Sequence, residues 1–200
     1  IILYDDKEID EFIKSNFDEY VYNAYSKLNI GAARADFWRY CILYKFGGIY
    51  LDFDSEILKP LDELIDENDQ AIVTREHNKG CFNNWIMIFQ KDHPILLETI
   101  NNCCYNIINK TTDNIAQLTG PHGPFTNAIN KIMREFYFKN TNLYFEQDYL
   151  LNKILNNPKN KIRCKFYSID MGSFATWKHK YAGELYIDHT HWTKEKQIYK

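Results

Sequence analysis

The chain has 200 residues, is 45% hydrophobic, and carries 24 basic against 27 acidic residues, which gives a net charge of −3. This length suits one well-buried domain. The near balance of charge argues against a general nucleic-acid binder, which would show a basic stripe. The sequence has no run of about 18 apolar residues and no visible signal peptide, so it predicts no membrane span.

The first predicted elements are the end of a strand and a short polar helix over Tyr4 to Phe17. The clearest helix covers residues 31–46, where apolar residues recur every three or four positions and form one core-facing stripe. Asp36 and Arg39 follow the same spacing on a neighbouring face, so their side chains project together. Gly47 then predicts the end of the helix, because glycine readily adopts the left-handed conformation of a C-terminal cap.

A strand is predicted over Ile49 to Asp54, and alternation along it would place Tyr50 and both aspartates on one face. Further strands are predicted at Ala71–Arg75, Trp85–Phe89 and Lys161–Ile169, and helices at Ile95–Ile108, at Thr126–Phe136 and after Gln147. This alternation of helices and strands indicates an α/β fold with a mostly parallel central sheet flanked by helices.

Five cysteines lack the spacing of a metal site, and Cys103 and Cys104 lie in an apolar helical run. We expect buried free thiols there, because free cysteine is among the most buried residue types.

The segment Asp52-Phe53-Asp54 carries the most chemical information in the chain. An isolated pair of aspartates is usually a pair of exposed surface acids. This pair ends an otherwise apolar strand, which is where open α/β sheets place their ligands. Two neighbouring carboxylates repel unless a cation lies between them, and Mg²⁺ or Mn²⁺ suits their hard oxygens. The pattern therefore predicts a divalent-cation site that could neutralise a leaving diphosphate.

Asp36 and Arg39 have two interpretations. An ion pair within an exposed helix would contribute only about 0.3–0.5 kcal/mol and no function. Their place directly before the glycine pair and the two aspartates favours a pair that hydrogen-bonds sugar hydroxyls.

Three runs of residues have the spacing of a known family: Ala33-Arg34-Ala35-Asp36-Phe37-Trp38-Arg39-Tyr40, Leu43-Tyr44, and Gly47-Gly48-Ile49-Tyr50-Leu51-Asp52-Phe53-Asp54. With them, residues 31–61 resemble the DXD-motif glycosyltransferase family that includes fungal Golgi α-1,6-mannosyltransferases and the glucosylating domain of large clostridial toxins. Ala35 is a departure, because many members have a small hydroxyl residue there. Weaker similarity continues at Phe82-Asn83-Asn84-Trp85, His93-Pro94 and Thr119-Gly120-Pro121.

The resemblance implies a GT-A, Rossmann-like fold and transfer of a hexose, with retention, from a UDP- or GDP-sugar to a glycan, lipid or protein acceptor. The implied cofactor is Mn²⁺ or Mg²⁺. It also implies one catalytic domain over residues 1–200, with the nucleotide-sugar and metal half at about 1–90 and the acceptor side at about 91–200. The implied catalytic residues are Asp36, Arg39, Asp52 and Asp54; the substrate-binding residues are Asp36, Arg39, Tyr50, Asp52, Asn83, Asn84, Thr190 and Trp192; and the metal ligands are Asp52, Asp54, His189 and His191.

Two parts of the family pattern fit less closely. The family closes its metal site near the C-terminus with a histidine or acid and a small-hydroxyl-x-Trp element, for which this chain offers Asp188-His189-Thr190-His191-Trp192. Either histidine fits, and a polar tail with incidental histidines is the alternative. The family's first strand has no counterpart, because Ile1 to Asp6 resembles the second strand and its turn.

Two other functions stay open. A phosphatase of the haloacid-dehalogenase type also ends a strand with Asp-x-Asp, but it needs Thr or Val two positions later, where this chain has Glu56. A catalytically inactive sugar- or metal-binding module is the second alternative, and the intact set of Asp36, Arg39, Asp52 and Asp54 argues against it.

Overall fold

The structure is a computed structural model that describes residues 1–75, 80–137, 164–168, 175–177 and 197–200. The predicted helix after Gln147 and the predicted C-terminal residues His189, Thr190, His191 and Trp192 lie outside the described residues.

Seven α-helices and six strands occur in the described part of the chain. The helices are α1 (Asp6–Asn16), α2 (Glu19–Ser26), α3 (Gly31–Phe46), α4 (Leu61–Leu64), α5 (Pro94–Asn109), α6 (Ile115–Leu118) and α7 (Thr126–Tyr137), with a π-helical turn at Pro121–Phe125. The strands are β1 (Gly48–Leu51), β2 (Ser55–Ile57), β3 (Ala71–Arg75), β4 (Phe82–Phe89), β5 (Cys164–Ser168) and β6 (Ala175–Trp177). No helix among the described residues is both long and apolar enough to cross a bilayer.

The N-terminal helix has the predicted position, but the strand expected before it is absent. Asp5 caps α1 in a reciprocal arrangement, in which each of Asp5 and Glu8 accepts the other's backbone N–H at 2.8 Å. Residues 1–5 form no strand, and Ile2 and Leu3 are exposed. The prediction of a strand end was wrong because apolar residues form a strand only beside a partner strand, and no described residue pairs with this segment.

Helix α3 confirms the predicted boundaries. It is followed by Gly47, whose N–H donates to the Leu43 carbonyl at 2.7 Å. Gly47 has φ +68° and ψ −165°, a conformation that only glycine adopts readily and that differs from the predicted left-handed helical cap. A Cβ at Gly47 would also lie 2.7 Å from the backbone nitrogen of Lys91. Glycine is therefore required at this position both by the conformation and by the close approach of the neighbouring backbone.

The main sheet has the order β1-β4-β3-β5, and it corrects the predicted topology. Strands β1 and β3 both pair antiparallel with β4, and only β3 with β5 is parallel. The α/β class is confirmed, but the described sheet is not mostly parallel. Only six residues connect β3 to β4, and a parallel crossover needs a dozen or more.

Strand β1 ends at Leu51, three residues earlier than predicted. The backbone makes one more ladder bond, from Asp52 N–H to the Trp85 carbonyl at 2.8 Å, and then turns. The turn is closed by the Ser55 N–H, which donates to the Asp52 carbonyl at 3.0 Å. The two aspartates therefore occupy the first and third positions of a turn, where Asp is favoured.

Two apolar clusters cover the sheet. The larger cluster lies between the sheet and helices α1, α2, α3, α5 and α7, and Tyr50 of β1 packs against it. Leu51 packs against the smaller cluster, so the predicted alternation holds to the end of β1. Cys103 and Cys104 are buried free thiols, as predicted.

Candidate active site

Arg39 joins helix α3 to the sheet. Its Nη1 donates to the Asn84 carbonyl of β4 at 2.8 Å, and its Nε donates to the Ala35 carbonyl at 3.3 Å. The side chain is buried, with 7% of its surface exposed. Burial lowers the pKa of Arg39, but the surrounding Tyr50, Asp52 and Asp36 outweigh this and raise it, so the guanidinium is a permanent buried cation.

Asp36 lies beside this cation with both carboxylate oxygens occupied. Its Oδ1 accepts from Asn84 Nδ2 at 2.8 Å and lies 3.4 Å from Arg39 Nη2. Its Oδ2 accepts from Thr119 Oγ1 at 3.3 Å. Burial raises the pKa of Asp36, and the charge of Arg39 with the hydrogen bonds from Asn84 and Thr119 opposes that rise.

Arg39 also reaches the end of β1. Its Nη1 lies 3.1 Å from Asp52 Oδ1, and its guanidinium carbon lies 4.6 Å from the centre of the Tyr50 ring. The Tyr50 hydroxyl donates to the same Asp52 Oδ1 at 2.8 Å. Burial raises the pKa of Tyr50, with Arg39 opposing and Asp52 reinforcing the rise, so the phenol stays protonated and keeps donating. These contacts fix the orientation of the Asp52 carboxylate.

The turn presents carboxylate oxygens that have no partner within the described part of the chain. Both contacts to Asp52 fall on Oδ1, so its Oδ2 accepts nothing there. No described group donates to Asp54. Phe53 between them is 86% exposed. The turn is therefore open at the residues that follow β1.

This donor set fits a divalent cation in part. Unpartnered carboxylate oxygens are the ligands that Mg²⁺ and Mn²⁺ prefer. Among the residues that the structure describes, however, no group of three or more potential metal-ligating side chains occurs. Asp52 and Asp54 would supply two ligands, and the predicted histidine ligands, His189 and His191, lie outside the described residues.

The two asparagines predicted to bind substrate are placed differently. Neighbouring residues on a strand point to opposite faces. Asn84 points toward Asp36, and its Nδ2 also donates to the Tyr40 hydroxyl at 2.7 Å. Asn83 instead donates to Thr74 Oγ1 at 3.3 Å. The structure therefore brings only Asn84 into contact with the buried pair.

Two residues of this cluster had no predicted role in the site. The apolar spacing within residues 31–46 puts Tyr40 on the core-facing stripe of the predicted helix, although its spacing of four from Asp36 puts both on adjoining parts of one helix surface. Thr119 belongs to a block with family similarity, but nothing in the sequence indicated that it contacts Asp36. We refer to Asp36, Arg39, Tyr40, Asn84 and Thr119 together as the buried cluster.

Comparison with known proteins shows that the segment carrying these residues matches a known family model. Residues 2–71 match the family model described as "Glycosyltransferase sugar-binding region containing DXD motif". Asp36, Arg39, Asp52 and Asp54 all lie in that segment. The predicted resemblance to DXD glycosyltransferases is confirmed over residues 2–71. That segment contains α1 to α3, β1 and the turn that carries the DXD motif.

Individual relatives agree with this match. The chain is 39% identical over 101 residues to inositol phosphoceramide mannosyltransferase 3 of Schizosaccharomyces pombe, an alignment that covers 50% of this chain and 27% of the relative. It is 29% identical over 119 residues to the initiation-specific α-1,6-mannosyltransferase of Candida albicans, covering 48% and 31%. The chain thus spans about a third of the length of these DXD glycosyltransferase relatives.

One solved structure shows a partial likeness. The PaToxG glycosyltransferase is 26% identical, with a TM-score of 0.42, over 51% of this chain and 35% of that chain. A TM-score of this size does not by itself define a fold. The α/β arrangement described above remains consistent with the GT-A fold expected of DXD glycosyltransferases.

Proposed function

We propose that this chain carries the donor-binding site of a metal-dependent glycosyltransferase that moves a hexose from a nucleotide sugar to a glycan, lipid or protein acceptor with retention. The observation that carries the proposal is a buried, hydrogen-bonded cluster beside an open turn, where Asp52 Oδ2 and the Asp54 carboxylate have no partner among the described residues. The matches to DXD glycosyltransferases and to named mannosyltransferases support it.

In this proposal Asp36 and Arg39 bind and orient the donor sugar. The Oδ2 of Asp36 accepts only one hydrogen bond from the described residues, although each carboxylate oxygen can accept two. A sugar hydroxyl can therefore donate to Asp36 without displacing Thr119. Arg39 is held from several sides, so it needs no rearrangement when the donor binds, and such preorganisation lowers the cost of binding.

The turn would hold the cation. Asp52 and Asp54 would ligate Mn²⁺ or Mg²⁺, with His189 or His191 as the proposed third ligand. Bound there, the cation would supply electrostatic stabilisation of the departing diphosphate. Tyr50 keeps Asp52 in one orientation through its hydrogen bond, and it is proposed to line the nucleotide site. Thr190 and Trp192 are proposed to contact the donor from the C-terminal side.

No catalytic triad is part of this proposal. The chain's contribution is positioning and electrostatic stabilisation, which together can account for large rate enhancements. Retention is proposed because the family resemblance implies it. The names of the relatives make a mannosyl group and a lipid or glycan acceptor the first candidates.

The test is a screen for Mn²⁺-dependent hydrolysis of UDP- and GDP-hexoses, with GDP-mannose first. Asp54→Asn is the test variant. Asp62→Asn is the matched control, because Asp62 is an exposed acid on α4 and the substitution makes the same change in charge. We expect turnover by the wild type and by Asp62→Asn, and loss of at least a hundredfold in Asp54→Asn.

Four results would contradict the proposal. Hydrolysis of no donor, or equal turnover by Asp54→Asn and the wild type, would remove the enzymatic function. Donor binding without turnover on any acceptor would favour an inactive binding module. Phosphate release from simple phosphomonoesters would favour a phosphatase.

A further inference from the structure

Thr119 contacts the site from a part of the chain that lies 83 residues after Asp36. It is the residue that ends the short helix α6, and it is fully buried. Its hydroxyl has two acceptors within reach, Asp36 Oδ2 at 3.3 Å and the Ile115 carbonyl at 3.4 Å. An ionised carboxylate is the stronger acceptor, so the hydroxyl proton is directed to Asp36.

Gly120, the residue after Thr119, shows how closely this part of the chain packs against α6 and the Asp36 carboxylate. A Cβ at Gly120 would lie 3.1 Å from Asp36 Oδ2 and 2.9 Å from the Cα of Ala116. Any larger residue would push α6 or the carboxylate away. The Thr119 carbonyl is itself 3.7 Å from the Sγ of Cys103, which donates to it from α5. The backbone that carries the Thr119 side chain is therefore held on both sides, by the close packing at Gly120 and by Cys103.

The two oxygens of Asp36 face different partners. Oδ1 faces Asn84 and Arg39, while Thr119 is the one described donor to Oδ2. Without Thr119 the carboxylate could rotate about its last bond and lose its alignment with Arg39. Because Arg39 also binds Asp52, a change at Thr119 reaches the turn that follows β1.

We propose that Thr119 is a positioning residue for donor binding, which fixes the Asp36 carboxylate and, through Arg39, the orientation of Asp52. The inference rests on the proposed function, since it assigns Thr119 a part in that same site. A purely structural role would be different, because a buried threonine that only caps a helix would affect stability and leave donor affinity unchanged.

The experiment compares Thr119→Val, which removes the hydroxyl and keeps the shape, with Thr119→Ser, which keeps the hydroxyl. Thr99→Val is the matched control, because Thr99 is also fully buried and its hydroxyl donates only to the Ile95 carbonyl, at 2.7 Å. GDP-mannose with Mn²⁺ is the probe, and the readouts are donor KM, kcat and the thermal midpoint. The pH titration of the Asp36 carboxyl carbon is followed by NMR without donor.

We expect Thr119→Val to raise donor KM about tenfold with little change in kcat, as the loss of one hydrogen bond to a charged group predicts. Thr119→Ser and Thr99→Val should keep the wild-type KM. Without the hydroxyl, the Asp36 carboxyl should titrate at higher pH, because a hydrogen bond to the ionised form lowers its pKa. If Thr119→Val does not fold, the NMR titration and KM of Thr119→Ala take its place.

An unchanged KM in Thr119→Val would overturn the inference, and so would an equal loss in Thr119→Ser or in Thr99→Val, since packing would then be the cause. If the wild type binds neither GDP-mannose nor another nucleotide sugar, the proposed function fails. The NMR titration then decides alone whether Thr119 positions Asp36: an unchanged Asp36 titration in Thr119→Val contradicts that role, and a shifted one supports it.

Discussion

The buried cluster and the DXD turn both contain aspartate, but the aspartate side chains have opposite surroundings in the two regions. Asp36 is buried, and each of its oxygens already has a partner from another element. Asp54 lies on an open turn with no partner among the described residues. Asp52 connects the two regions, because its Oδ1 contacts Arg39 of the cluster while its Oδ2 has no partner among the described residues. The difference indicates that the cluster provides rigidity and that the turn provides free ligands.

This difference predicts that substitutions in the two regions have unequal effects on the free energy of unfolding. Substituting a member of the buried cluster removes a partner from another buried polar group, which is strongly destabilising. Substituting an unpartnered carboxylate removes no contact. The four substitutions below test this contrast in order of their expected effect on the free energy of unfolding.

The largest effect is expected for Arg39→Leu. It leaves the buried carboxylate of Asp36 and the half-buried carboxylate of Asp52 without their cation, and such a loss costs about 3–5 kcal/mol. Arg34→Leu is the control in the same helix. Arg34 lies 3.7 Å from the half-buried Asp10 and 4.4 Å from the centre of the Tyr25 ring, and its loss should cost about 1 kcal/mol. Urea denaturation measures both. Equal losses would mean that the cluster is not specially dependent on its cation.

Gly120→Ala is expected to cost about 1–3 kcal/mol, because the added Cβ would lie 2.9 Å from the Cα of Ala116 and 3.1 Å from Asp36 Oδ2. Gly31→Ala is the control, since a Cβ there has no neighbour within 4 Å and alanine favours the helix. Thermal unfolding should show a loss for Gly120→Ala and no loss for Gly31→Ala. A neutral Gly120→Ala would show that α6 is free to move away from Asp36.

Asp36→Asn should change the pH dependence of stability. The pKa of Asp36 is raised in the folded state by burial, so the folded chain takes up this proton at a higher pH than the unfolded chain. As the pH falls from neutral toward the ordinary aspartate pKa of about 4, the wild type should therefore gain stability relative to Asp36→Asn. Denaturation curves at several pH values test this. A relative loss over that range would show that Arg39 lowers the pKa below its ordinary value.

The smallest effect on stability is expected for Asp54→Asn. No described group donates to this side chain, so the free energy of unfolding should stay within about 0.5 kcal/mol of the wild type. Asp62→Asn should behave alike in the same denaturation experiment. A destabilisation comparable to that of Arg39→Leu would place Asp54 in the buried cluster and remove the contrast.

Local parts of this arrangement could be predicted from the sequence. The helical spacing placed Asp36 and Arg39 together, and Gly47 marked the end of α3, because both depend on contacts a few residues apart. The predicted strands Ala71–Arg75 and Trp85–Phe89 leave nine residues, 76–84, between them, which is already too short for a parallel crossover, and the mostly parallel prediction did not use this signal. Contacts distant in sequence left no such signal.

Two contacts illustrate that limit. Asn84 and Thr119 reach Asp36 from 48 and 83 residues away, and nothing in their immediate sequence favours Asn84 over Asn83 or gives Thr119 a partner. The register between β3 and β4 is irregular, with Val73 paired to Met87 but Arg75 to Phe82, so alternation along the sequence of β4 does not show which asparagine points toward α3. The turn at Asp52 was also missed, because alternation alone cannot show where a strand ends.

Mn²⁺ binding tests the central claim most directly, because the claim assigns the cation to the open turn. Water-proton relaxation during Mn²⁺ titration, with GDP or UDP present, would compare the wild type with Asp54→Asn and Asp62→Asn. We predict that Asp54→Asn weakens Mn²⁺ binding at least tenfold and that Asp62→Asn matches the wild type. Equal Mn²⁺ affinity in the wild type and Asp54→Asn would contradict the account.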